Sequence, residues 1–86
     1  MLPRISIFFG IVIYMYYDDH NPPHFHASYE GLEGFFDFEE NMIRGYMPGK
    51  AQNLIKEWCG LHKKELEGNW ENARKDKPLN WIEPLR

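Results

Sequence analysis

Residues Ile5 to Tyr17 read ISIFFGIVIYMYY, and residues 18–26 that follow read DDHNPPHFH. The first stretch is dense in β-branched and aromatic side chains, the composition of a strand. Read with a period of two, Ile5, Ile7, Phe9, Ile11, Ile13, Met15 and Tyr17 share one face, and Phe8, Val12, Tyr14 and Tyr16 share the other. Apolar residues on both faces predict one long central strand over about 5–17, with Gly10 marking a bend or bulge. Asn21-Pro22-Pro23 cannot continue a ladder and reads as a loop.

Working outward, a second strand is expected over about 24–30, a turn at Gly31 to Gly34, a third strand over 35–39 and a short fourth over 42–47. After Pro48-Gly49 the period becomes helical, with Ala51, Leu54, Ile55, Trp58, Leu61 and His62 on one stripe of a helix over about 49–67. Gly68 is read as its break, and Asn69 as the N-cap of a short helix over 70–76. An extended tail follows over 79–86, with Trp81 and Ile82 as its expected anchors. The fold class is therefore α+β: a curled antiparallel sheet of three or four strands, followed by one long and one short helix packed on one face.

At 86 residues the chain accommodates one domain, 1–86, with a modest core. Hydrophobic residues at 43% and aromatics at 16% argue against disorder and for a monomer or a small oligomer such as a homodimer. The single Cys59 cannot form an internal disulfide, which fits a reducing cytoplasm. The apolar run after Arg4 is shorter than the roughly 20 residues of a membrane span and lacks a small-residue cleavage site, so neither secretion nor a membrane is expected. Charge is asymmetric: residues 1–43 hold one basic residue and seven acids, residues 44–86 nine basic residues and six acids. A total of −3 carries no duplex-binding footprint, while a basic face on the second half is compatible with RNA contact.

Chemistry concentrates in residues 18–26, which hold three of the four histidines beside Asp18 and Asp19. Strand parity puts His24, His26, Ser28 and Glu30 on one face and Phe25, Ala27 and Tyr29 on the other, toward the core. Alternate strand residues lie roughly 7 Å apart, close enough for two imidazoles to converge on one ion. Three uses are open. His20, His24 and His26 can ligate a divalent transition metal such as zinc, with Asp18 or Asp19 closing the site. Alternatively, His24 and His26 can act as an acid–base pair on an RNA phosphodiester, with Asp19 or Asp18 orienting an imidazole and Arg44, Lys50 or Arg4 meeting the developing charge. Finally, the histidines can be structural, capping the loop and bonding Asp18, Asp19 or Glu30. His62 and Cys59 read as core residues, and Trp70 and Trp81 as core anchors or, where exposed, interface markers.

Two motifs invite comparison with known families. His24-x-His26-x-x-x-Glu30 matches part of the first cupin motif, but Asp18 and Asp37 stand where that motif has glycines, and the chain is short for a double-sheet barrel. A fuller likeness rests on Phe9 to Ile13, Met15-Tyr16-Tyr17, Asp19 to Ala27, Glu57-Trp58, Leu61-His62, Glu65-Leu66, Asn69-Trp70 and Ile82 to Leu85. Over nearly its full length the chain resembles a small bacterial family catalogued as domain of unknown function 4160. The resemblance implies a two-protein module of toxin–antitoxin type, with this chain as its toxin-like member and a small partner protein from an adjacent gene. Leu32, Phe35, Phe36 and Phe38 depart from the family pattern, and with the Trp81 tail they would form the contact surface of a purely interacting protein.

Overall fold

The computed structural model describes residues 3–17 and 19–86. Five strands, β1 (Arg4–Phe8), β2 (Ile11–Tyr14), β3 (His24–Tyr29), β4 (Leu32–Asp37) and β5 (Met42–Gly45), precede two helices, α1 (Gly49–Leu61) and α2 (Lys63–Arg74). The strands form one antiparallel meander in sequence order, so the α+β expectation holds with five strands in place of three or four.

The fifth strand arises where one long strand was expected over 5–17. Phe8 pairs with Ile11, and the two residues between them, Phe9 and Gly10, have φ values of 50° and 78°. Two successive positive φ values are the signature of a tight hairpin turn whose twist matches that of the flanking strands. The chain therefore folds back at Gly10, and Ile11, Ile13 and Met15 reach the core beside Ile5 and Phe8. Phe9, expected on a covered face of the long strand, is 59% exposed at the turn.

The second hairpin is built the same way. Tyr29 pairs with Leu32 across Glu30 and Gly31, both at positive φ, so the turn lies before Leu32 and the third expected strand begins three residues earlier than 35. Gly34 is a strand residue facing Gly45, where a Cβ would lie 2.3 Å from the Glu33 carbonyl oxygen; strand and cross-strand partner meet there through bare backbone. β5 ends at Gly45, two residues short of the expected 47.

The expected long helix divides at His62, with Gly68 inside α2. One straight helix over 49–74 would have 26 residues and be about 39 Å long, more than the longest 34 Å extent of the molecule. The break lets both apolar stripes, Ala51, Ile55, Trp58 and Cys59 on α1 and Leu66, Trp70 and Ala73 on α2, reach buried positions. Trp58 is the hub, edge-on to Phe25 at 5.6 Å and tilted against Phe8 at 5.5 Å. Phe36 and Phe38 stack on Phe25 in this core and are not an external contact surface.

Asn69 is a buried residue of α2 and not an N-cap. Its amide accepts from Asn80 N–H and donates to Asn80 O, both at 2.8 Å, anchoring the tail. Ile82 N–H then donates to Ile5 O, and Trp58 Nε1–H to Glu83 O. Ile82 and Leu85 are the buried anchors; Trp81 is 56% exposed. The tail thus covers the β1 edge, leaving β5 as the open edge. No helix among the described residues is long and apolar enough to cross a membrane.

Candidate metal centre on the outer sheet face

The helices cover the Phe25 face of the sheet, and the parity of β3 turns His24 and His26 to the opposite one. Cross-strand pairing aligns Tyr14, His26, Phe35 and Arg44 in one row over β2, β3, β4 and β5. Tyr14 stacks on His26 with ring centroids 5.2 Å apart, and Phe35 approaches it to 4.2 Å. His26 is thereby 3% exposed. His24 lies at the strand's start, stacked on Phe35 and tilted against Trp70.

The loop through Asn21, Pro22 and Pro23 brings Asp19 over these rings. Asp19 Oδ2 lies 2.8 Å from His26 Nε2 and 3.4 Å from His24 Nε2. On the far side of its ring, His24 Nδ1 lies 2.8 Å from the Pro22 carbonyl oxygen. A carbonyl only accepts, so Nδ1 carries the proton and a neutral His24 presents a bare lone pair at Nε2. Burial lowers the pKa of His26, outweighing the hydrogen bond and charge of Asp19, which raise it; His24 adds to the lowering. His26 is thus neutral near pH 7, donates Nε2–H to Asp19, and leaves Nδ1 buried without a partner.

Asp19, His24 and His26 form a group whose candidate ligand atoms all lie within 4.8 Å of one another. Bonds near 2.0 Å in tetrahedral array place neighbouring ligand atoms about 3.3 Å apart. The His24 to Asp19 separation already fits, and the His26 to Asp19 separation would open by about half an ångström. The Nδ1–H to carbonyl bond of His24 is also the outer-shell support that orients a metal-binding imidazole.

Asp19 and His24 face an open cleft of about 270 Å³ that is also lined by His20, Asn21, Pro22, Phe35, Ile43 and Arg44. His20 is exposed on its wall and outside the converging group, while Asp19, offered by the sequence beside His20 and Asp18 to close the site from the loop, lies with the two imidazoles. Asp18 lies outside the described residues. Of the three candidate cations Arg44 lines this cleft, whereas Lys50 lines a separate one with Phe9, Tyr29 and Leu54. Glu30 occupies the exposed β3–β4 turn, at the opposite end of β3 from His24.

The loop, the two histidines and most of both helices fall within residues 10–71, which match the model of a family described as Domain of unknown function (DUF4160). The chain belongs to that family. No curated protein and no solved structure matches it. The family's description names no activity, so any function of this DUF4160 chain has to be argued from its own residues. Phe35, Tyr14 and Trp70, which fix the imidazoles from the sides, were not singled out with the histidines; the parity that grouped His24 with His26 also puts Tyr14 on an outer face.

Elsewhere, His62 Nδ1–H bonds Glu65 at the junction of the two helices. Cys59 is buried, its pKa pushed up to about 11 by burial, and no activating base lies beside it among the described residues.

Proposed function

We propose that this DUF4160 chain is a metal-binding protein whose centre is Asp19, His24 and His26. The observation that carries the reading is the 3.4 Å approach of His24 Nε2, in a ring whose Nδ1–H is held by the Pro22 carbonyl, to the carboxylate of Asp19. Two lone-pair-bearing atoms held at that distance attract only when something positive lies between them, a metal ion or a proton. Two imidazoles and a carboxylate suit zinc or ferrous iron, and a cleft on one side leaves room for a further ligand, as a working centre requires. Bound there, the metal would act as a Lewis acid toward a ligand in the cleft. In the toxin-like, two-protein setting implied by the family resemblance, this centre is the working part.

The test is elemental analysis of untagged, extensively dialysed protein, followed by zinc and ferrous iron titration. One metal per chain, lost in the His24→Ala/His26→Ala variant, is the expected result. A wild-type protein that neither retains nor takes up metal would overturn the reading. The proton alternative is favoured by one observation, the unpartnered Nδ1 of His26, which in a metal-bound His26 would carry a buried N–H with no acceptor. On that reading His24 is the acid of a His24–Asp19–His26 relay, the chemistry proposed for an RNA phosphodiester.

A further inference from the structure

Arg44 and Ile43 are neighbours in sequence, yet both line the cleft in front of the centre. In a regular strand, successive side chains point to opposite faces. Here the β4–β5 ladder shifts register: Phe35 pairs with Arg44 and Phe36 with Met42, so Ile43 is an extra residue in β5. A bulge of this kind re-aims side chains and is enriched beside functional sites. Ile43 remains 43% exposed beside Arg44.

Arg44 is two strands from His26 in the same cross-strand row, about 10 Å at the backbone, with Phe35 between them. Its side chain is long enough to bring the guanidinium over Phe35 toward the ligand side of the centre. Among the described residues no carboxylate forms an ion pair with Arg44, and the Asp19 carboxylate of the same cleft is engaged by His26. The polar groups left for a ligand are the Arg44 fork, the Asn21 amide and the exposed His20; the apolar ones are Ile43, Pro22 and the edge of Phe35.

We infer that the cleft binds a phosphate monoester with an apolar or aromatic substituent, and that Arg44 holds its oxyanion while Ile43 and Phe35 flank the substituent. The inference rests on the metal reading for the far side of the phosphate. A guanidinium takes two oxygens of a phosphate in parallel, and a tetrahedral phosphate still offers a third to the centre. A planar carboxylate has no third oxygen, so an oxygen already held by the guanidinium would have to be shared with the centre, which weakens both contacts.

Calorimetric titration of the zinc-loaded protein with phenyl phosphate, inorganic phosphate and benzoate tests this. Phenyl phosphate should bind at least tenfold more tightly than benzoate, and Arg44→Gln should weaken it about tenfold or more, the loss of a bidentate charged contact, with zinc stoichiometry unchanged. Arg44→Lys, which keeps the charge and loses the fork, should fall between. Ile43→Ser should weaken phenyl phosphate and leave inorganic phosphate unaffected. Equal affinity in wild type and Arg44→Gln, or benzoate binding as tightly as phenyl phosphate, would overturn the inference. Should the protein take no metal, the metal reading fails by itself. The same titrations on metal-free protein then decide this one: binding lost in Arg44→Gln sustains the phosphate cleft, and no binding ends it.

Discussion

His24 Nε2 and Asp19 Oδ2 lie 3.4 Å apart, bringing the start of β3 against the loop that precedes it. The ring of His24 is fixed by Phe35, Trp70 and the Pro22 carbonyl, all independent of its Nε2. His24→Phe keeps the ring stacking and removes both nitrogens. In metal-free protein it should cost about 1 kcal/mol, one hydrogen bond, while abolishing metal-induced stabilisation. Urea denaturation with and without metal measures both. A loss above about 3 kcal/mol without metal would assign His24 to the scaffold.

Phe9 occupies the first turn position of the β1–β2 hairpin at φ 50°, with its ring exposed. A left-handed conformation costs a non-glycine residue roughly 1–2 kcal/mol, and asparagine tolerates it best. Phe9→Asn should therefore stabilise the protein by about 0.5–1 kcal/mol, read as a higher urea midpoint at unchanged slope. A lower midpoint would mean that the ring's contact with the Tyr29 and Leu54 cleft outweighs the turn strain.

The same hairpin marks where the sequence stops being legible. Apolar residues on both sides of Gly10 make a uniform run, and phenylalanine at a position that favours asparagine or glycine hides the reversal. His24 and His26 were legible as a pair because strand parity is local. The choice of Asp19 among the loop candidates Asp18, Asp19 and His20 was not, since which loop residue lies over the rings depends on the path through the two prolines. Arg44 was one of three candidate cations, and setting it apart from Lys50 and Arg4 required the β5 bulge, which no residue type in Met42–Gly45 announces. Gly68 and Asn69 misled in the same way: residue types that usually end or cap helices sit inside α2, where the tail and the core decide their roles.

Asp37 closes the β4–β5 turn, accepting from Glu39 N–H, Asn41 N–H and Asn41 Nδ2. Its burial pushes the pKa up, but the bonds from Asn41 and Glu39 together hold it below the usual value. A carboxylate with a depressed folded pKa stabilises above its unfolded value near 4 and loses that contribution as pH falls through the folded one. Asp37→Ala should cost about 1–2 kcal/mol at pH 7, with the difference from wild type shrinking below pH 4. A difference independent of pH would contradict the assignment.

Cys59 is buried, with its thiol donating to the Asp37 carbonyl oxygen, and burial pushes its pKa up to about 11. The raised value disfavours thiolate, so at pH 8 the thiolate population is roughly a hundredfold below that of an exposed cysteine. Disulfide-exchange labelling of native protein should be at least that much slower than in 6 M guanidinium. Rapid native labelling would show that the α1 core opens readily.

Asn69 and Asn80 are joined by paired hydrogen bonds, amide to backbone, in a site where Asn69 is 1% exposed. Removing the amide breaks both bonds to the backbone of residue 80, which is exposed, so water replaces them in part and each is worth about 0.5–1.5 kcal/mol. Asn69→Ala should therefore destabilise by about 1–3 kcal/mol. Because the tail beyond Asn80 bonds Ile5 and Trp58, its release should also speed amide exchange at Ile82. Asn69→Asp separates the two bonds: it still accepts from Asn80 N–H but cannot donate to Asn80 O, so its exchange rate at Ile82 should fall between wild type and Asn69→Ala. Wild-type exchange at Ile82 in Asn69→Ala would mean that Ile82 and Leu85, by burial alone, hold the tail.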